Sequence, residues 1–201
     1  MAHKLKFKPA ISPPIPVKMS RSWAMPNRNT FSIKPIKELI DKYAVGFGAD
    51  PFAKDAKRAT ITNDLDPSTS AEFHLDAIDF IHKLAPKSLD YFLFDPPYST
   101  RQVSECYKQL GRTVNMQTTQ ASFWANIKKA AAPKIKLGGY SLMFGWNSNG
   151  IGKCNGMEIV EILMVAHGGP HNDTIVTVEK KVTEPNGYED TQARLDLYLA
   201  A

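Results

Sequence analysis

The apolar positions of this chain follow two rhythms. "LDYFLF" (89–94) and "GGYSLMFGW" (138–146) are nearly unbroken apolar runs, the mark of strands buried on both faces. "SIKPIKELIDKY" (32–43) instead spaces Ile36, Leu39, Ile40 and Tyr43 three or four apart, which puts them on one face of a helix. Pro35 suits the first turn of that helix. "RATITND" (58–64) is strand-like, and "AEFHLDAIDFIHKL" (71–84) is helical in its second half. Residues 101–110 and 120–134 read as helices. "MEIVEILMVAHG" (157–168) and "DTIVTVEKK" (173–181) read as a hairpin around "HGGPHN". Pro9, Pro13, Pro14, Pro16 and Pro26 forbid a long helix in residues 1–29, which therefore read as an extended arm. Residues 183–201 form a polar tail, with a short terminal helix expected at "TQARLDLYLA".

Strands alternating with helices and closing on a hairpin predict a three-layer α/β domain over residues 30–182. Its sheet is expected to be mostly parallel, with the hairpin making one edge antiparallel. The link from strand 138–146 to strand 157–167 is short for a parallel crossover. That raises a sheet order in which the final hairpin strand lies between the two. In such sheets ligands bind beyond the C-terminal strand ends, so Asp50, Asp64 and Asp95, each following a predicted strand, are expected along one rim.

Composition narrows the setting. The chain has 201 residues, 43% hydrophobic and 22% charged, enough for one domain with a sizeable core. No apolar run is long enough to span a bilayer, and the start, "MAHKLKFKPAISPPIPVKM", lacks the apolar centre of a signal peptide. Cys106 and Cys154 form neither a disulfide framework nor a metal-site spacing. A reduced, cytoplasmic protein is expected. The formal charge is +5 with an isoelectric point near 9.1. Lys4, Lys6, Lys8, Lys18, Arg21, Arg28, Lys34 and Lys37 all precede the first acid, Glu38. This basic arm suits either a nucleic-acid phosphate backbone or a solvated terminus.

The chemistry concentrates in "DYFLFDPPYST" (90–100). Pro96 and Pro97 fix φ near −65° and bring no N–H, so their carbonyls remain as acceptors of set direction. Asp95 adds a carboxylate acceptor beside them. Such a pair matches an –NH₂ group, which has two hydrogens to give. Tyr98 supplies a ring face on which a planar base can stack. The plainer reading is a proline-rich loop capped by an aspartate; an apolar strand feeding the turn inside an α/β domain favours the first.

"FDPPY" resembles the catalytic motif of the S-adenosylmethionine-dependent DNA amino-methyltransferases, particularly the N6-adenine enzymes, including small members carried by phages. "SIKPIKELI" (32–40) is similar to the family's motif before its glycine turn, "DPFA" (50–53) to the turn itself, and "TNDLDP" (62–67) to the acidic end of its second strand. The match covers about residues 27–181, with cofactor motifs preceding the catalytic turn. The resemblance implies a Rossmann-like class I methyltransferase fold, with a mostly parallel seven-stranded sheet and an antiparallel C-terminal hairpin strand. It implies S-adenosylmethionine as cofactor, S-adenosylhomocysteine as product, no metal, and a bacterial or phage-infected cell. Carried over residue by residue, it makes Asp95, Pro96, Pro97 and Tyr98 catalytic. It assigns the cofactor to Phe31, Ile33, Lys34 and Pro35, to Asp50, Pro51, Phe52 and Ala53, to Asp64 and Leu65, to Asp76 and Ala77, and again to Asp95. Asp64 would hold the ribose and Asp76 the cofactor's adenine.

Two departures stand out. The family's glycines after "DPF" are absent, replaced by "AKDAK" (53–57); glycine lets backbone approach a ligand closely, so the contacts here must differ. No separate target-recognition domain is expected. DNA is expected to be read by an insert within 99–135, with Tyr98, Arg101, Lys108 and Arg112, by the loop carrying Asn147 and Asn149, and by His171. His167 and His171 bracket the hairpin tip, either as base contacts or as surface residues. Two rival readings remain: the same chemistry on RNA, and a catalytically silent nucleic-acid or cofactor-binding module.

Overall fold

The computed structural model describes residues 15–111 and 121–187. The terminal helix expected at "TQARLDLYLA", the lysines at 4, 6 and 8, and Arg112 lie outside the described residues. A seven-stranded sheet forms the middle layer, in the order β1-β6-β7-β5-β4-β2-β3. The strands are β1 (Lys18–Trp23), β2 (Gly48–Asp50), β3 (Ile61–Thr62), β4 (Leu89–Phe94), β5 (Ile135–Gly145), β6 (Met157–Ala166) and β7 (Thr174–Lys181). The helices are α1 (Lys34–Tyr43), α2 (Ala77–Lys83), α3 (Thr100–Gln109) and α4 (Ala121–Ala131). No described helix is long and apolar enough to cross a membrane.

Alternation along the strands divides the core in two. Tyr91 and Leu93 of β4 point to one face, where Ile36, Leu39 and Ile40 of α1 cover them. Phe92 and Phe94 point to the other, against Phe80 and Ile81 of α2 and Ile127 of α4. Each such buried aliphatic or aromatic side chain is worth roughly 1.5–3 kcal/mol, which is why the unbroken run at 89–94 makes a central strand. Within the stretch 99–135, expected as a target-reading insert, α4 belongs to this core layer and buries Ile127 and Ala131 completely.

The hairpin does not make an edge. β7 lies between β5 and β6 and pairs antiparallel with both, the arrangement that the short β5–β6 link raised. The connection, residues 146–156, crosses the sheet face without an α-helix. It is pinned by Glu179 of β7, which is 1% exposed. This carboxylate accepts from the Ser141 hydroxyl at 3.0 Å and from the backbone N–H groups of Ile151 and Gly152 at 2.6 and 2.9 Å. A Cβ at Gly150 would sit 2.1 Å from the Glu179 carboxyl carbon, so only glycine lets the crossover lie this close.

The outer strand is one the hydrophobic pattern does not announce. Residues 18–23, expected within a free arm, form β1, parallel to β6 at the sheet edge. Proline punctuation forbids a helix but not an edge strand. Charge holds the strand down: Glu161 of β6 accepts from Lys42 at 2.5 Å, from Tyr43 at 2.7 Å and from Lys18 at 3.1 Å. Burial by itself would push the Glu161 carboxyl up; these hydrogen bonds overcome it and hold the group at about 2. At least one arm lysine therefore pairs inside the fold rather than facing a phosphate. His167 does the same work at the other end of β1. It is 5% exposed, so it is not a surface histidine. Its Nδ1 lies 2.8 Å from the Ala24 carbonyl, which can only accept, and its Nε2 lies 2.8 Å from the Thr174 hydroxyl.

Candidate functional site

A cavity of about 610 Å³ opens where β2, β3 and β4 end, roofed by α3 and by the first turns of α4. β4 delivers Asp95, Pro96, Pro97 and Tyr98 directly into its wall. The turn is held by the helix that follows. Ser99 caps α3 by accepting from the Gln102 N–H at 3.2 Å, and the Gln102 side-chain oxygen accepts from the Tyr98 N–H at 2.7 Å and the Ser99 N–H at 3.2 Å. This is a capping box, readable in the sequence as Ser-x-x-Gln ahead of the helix.

The acids on the rim occupy three distinct settings. Asp64, just beyond β3, lines the cavity and accepts from the Lys54 N–H at 3.0 Å and the Asp66 N–H at 2.9 Å. Asp95 lines it too, and its Oδ1 accepts from the Tyr98 hydroxyl. Burial pushes the Asp95 carboxyl up; hydrogen bonds from Tyr98 and Thr30 and the charge of Lys54 pull against that. Burial likewise pushes the Tyr98 phenol up, reinforced by the Asp95 charge. Asp50 lies beneath, fully buried, with Oδ1 taking the Phe52 N–H at 2.9 Å and Oδ2 without a partner among the described residues. Burial, with the Asp95 and Asp64 charges, pushes its carboxyl up to about 8.

The Asp50 shift sets a pH dependence of stability. The unfolded chain releases this proton near pH 3.8 and the folded chain near pH 8. Between those values the folded state loses stability as pH rises, by ~1.4 kcal/mol per unit. Asp50→Asn keeps the Phe52 acceptor and cannot ionise. Its melting temperature relative to wild type is expected to climb steadily from pH 5 to pH 8. A difference that stays flat over that range would show that Asp50 is not held protonated.

Of the residues assigned from the sequence, Pro51, Phe52, Asp64, Leu65, Asp76, Ala77, Asp95, Pro96, Pro97 and Tyr98 line this one cavity. Asp76 caps α2 by accepting from the Ile78 N–H at 3.1 Å, and its second oxygen takes the Tyr107 hydroxyl at 3.0 Å. Ala53 is buried beside the cavity, outside its lining. Phe31, Ile33, Lys34 and Pro35 do not reach it. Phe31 packs on Phe144 with ring centroids 4.9 Å apart, and Ile33 is buried in the core beneath α1. Their neighbour Thr30 lines the cavity instead.

The residues expected to touch DNA lie apart. Arg101 is exposed on α3 and pairs with Glu105 at 2.8 Å, and Lys108 is exposed on the same helix. Asn147 accepts from the Asn149 N–H at 2.9 Å in the exposed start of the crossover. His171 is exposed at the hairpin tip.

Other lining residues went unmarked. Trp124 stands edge-on to Phe52 and to Phe94, both at 5.9 Å, and Phe123 is 4.9 Å away. These rings, with Leu65 and Leu75, give the cavity an apolar wall opposite its carboxylates. Trp146, which reads as core, is 42% exposed and edge-on to the Tyr98 ring at 5.8 Å. Apolar walls facing carboxylates at strand and helix ends fit a nucleoside with a cationic tail: hydroxyl and amine donors meet acceptors, and positive charge meets the carboxylates of Asp64, Asp76 and Asp95. Among the described residues no cluster of three or more His, Cys, Asp or Glu could hold a metal ion.

The chain's likeness to known proteins lies in its fold. No protein-family model matches it, and no curated protein matches it. NSun6 from Pyrococcus horikoshii, solved with SFG, superposes with a TM-score of 0.50 at 13% identity, over 73% of this chain and 50% of that one. TrmN from Thermus thermophilus superposes with a TM-score of 0.50 at 17% identity, over 74% of this chain and 48% of that one. The T. thermophilus 16S rRNA N2 G1207 methyltransferase RsmC, in complex with AdoMet and guanosine, gives 0.41 at 15% identity, over 78% and 41%. The chain spans about half the length of the first two. At these identities the likeness establishes architecture: an α/β, Rossmann-like methyltransferase fold, with a seven-stranded sheet whose antiparallel hairpin strand lies near its C-terminus.

Proposed function

We propose that this chain transfers a methyl group from S-adenosylmethionine to the N6 amino group of adenine in DNA, by direct in-line transfer after the base is flipped out. The observation that carries this reading is the delivery of Asp95-Pro96-Pro97-Tyr98 by β4 into the same cavity as Asp64 and Asp76. Bound there, the cofactor supplies an electrophilic methyl on a sulfonium. Asp64 would take the ribose hydroxyls, Asp76 would hold the adenine end, and Phe52 and Leu65 would cover the nucleoside.

The target amine is buried in a stacked duplex, so the base must leave the stack to reach this wall. The Asp95 carboxylate and the Pro96 carbonyl accept its two hydrogens. That pushes the nitrogen towards tetrahedral geometry and aims its lone pair into the cavity. It also offsets the positive charge that develops on nitrogen. Holding the amine in line with the methyl that the bound cofactor would supply would account for much of the rate. The Tyr98 hydroxyl donates to Asp95 Oδ1 and helps to orient the carboxylate for the amine, while the Tyr98 ring offers the base a stacking surface. Arg101, Lys108, Asn147, Asn149 and His171, all exposed, would meet the nucleic acid.

The deciding experiment offers labelled cofactor to duplex DNA, single-stranded DNA and RNA, followed by nucleoside analysis. N6-methyladenine from DNA is expected. Label found only in RNA would move the substrate, and cofactor binding without transfer would make the chain a silent module. A second expectation concerns pH. Ionised Asp95 carries the charge that offsets the one developing on nitrogen, so activity falls as pH drops through its raised value. Tyr98→Phe keeps the ring and removes a hydrogen bond that holds that value down. The acid limb of its pH–rate profile is expected to move to higher pH than in wild type; an unmoved limb would detach the profile from Asp95.

A further inference from the structure

We infer that Lys54 is a carboxylate-binding residue, whose ammonium holds the carboxylate of the cofactor's amino-acid end where a glycine turn is missing. This rests on the cofactor reading above and extends it to a residue that the resemblance leaves unassigned. Lys54 follows Pro51, Phe52 and Ala53 at the end of β2, where the resembling family carries its first glycine. Its backbone keeps the shape of that turn, with φ of +49°. Side-chain-bearing residues reach this left-handed region only at a cost in strain, so a lysine here needs a compensating gain. The backbone offers a ligand little at this point, because the Lys54 N–H already donates to Asp64 at 3.0 Å.

The side chain is what remains. Lys54 lines the cavity and makes no ion pair among the described residues. It is also the only cationic side chain among the described residues of the lining, against the carboxylates of Asp55, Asp64, Asp66, Asp76 and Asp95. An amino-acid tail carries a carboxylate that those acids repel, whereas its ammonium and a sulfonium suit them. Lys54 is the lining group with the charge to bind the anionic end. Its charge is felt at Asp95 and Cys106, which line the same cavity. A charge-assisted bond from a mobile lysine can thus replace contacts that glycine would have opened to the backbone.

The test is calorimetry on the full chain with two ligands: S-adenosylhomocysteine, and 5′-methylthioadenosine, which keeps the nucleoside and sulfur but lacks the amino-acid end. Lys54→Met is expected to weaken S-adenosylhomocysteine about tenfold or more and to leave 5′-methylthioadenosine within twofold. Lys54→Gly relieves the backbone strain, so its melting temperature should hold or rise while S-adenosylhomocysteine still binds about tenfold more weakly. Equal losses for both ligands, no loss in Lys54→Met, or full affinity in Lys54→Gly would each overturn the assignment while the cofactor reading stands. A wild-type chain that binds neither ligand would overturn both.

Discussion

Asp95→Ala should lower methyl transfer by roughly 30- to 1000-fold while leaving S-adenosylhomocysteine affinity within a few-fold of wild type. The size follows from the loss of a charged acceptor that acts on the developing nitrogen charge, ~2–4 kcal/mol of transition-state stabilisation. Asp95 lies at the cavity wall and accepts from the Tyr98 hydroxyl, so its removal also frees that phenol to donate elsewhere. Asp95→Asn separates the effects: it keeps an acceptor oxygen and the shape of the turn but loses the charge. Single-turnover rates with saturating cofactor would read the chemical step directly. Turnover above about a tenth of wild type in the alanine variant would remove Asp95 from the chemistry.

Glu179→Ala should be the most damaging single change to stability outside the apolar core. It strands the buried Ile151 N–H and Ser141 hydroxyl and the partly buried Gly152 N–H. A buried donor left without a partner costs ~1–3 kcal/mol, so a total of roughly 3–5 kcal/mol is expected. Urea unfolding would read this as a lower midpoint with little change in slope. Glu179→Gln keeps one acceptor oxygen and should lose less than half as much. An alanine variant within about 1 kcal/mol of wild type would mean that the crossover is held by its apolar contacts, such as Ile151, rather than by the carboxylate.

How far the chain could be read without coordinates differs between its parts. Strand β4 coincides with the apolar run at 89–94 because a strand covered on both faces is apolar throughout, save for Asp90 near its start. Helix α1 was equally plain, since its buried face recurs at helical spacing. β3 was expected over 58–64 but is only Ile61–Thr62; Asn63, which follows, bridges singly to Phe73. Strand β1 carried no signal, since Lys18, Met19, Ser20 and Arg21 are all exposed on the sheet edge. Its place depends on Glu161, which lies more than a hundred residues away in the chain.

The candidate site divides the same way. Asp95-Pro96-Pro97-Tyr98 was legible because proline fixes backbone geometry locally and an apolar run announces the strand that presents it. The Ser99–Gln102 capping box was equally local, though it went unread. Sequence alone therefore determined the alternation of elements, the two-faced central strands and the acceptor turn at the end of β4, all set by contacts or torsions within a few residues. Only the tertiary structure decided that β7 lies between β5 and β6, that Glu179 rather than a helix secures the crossover, and that Phe31 belongs to the core while Thr30 and Lys54 face the cavity. Those outcomes depend on groups brought together from distant parts of the chain, where burial and charge pairing, not local preference, choose the arrangement.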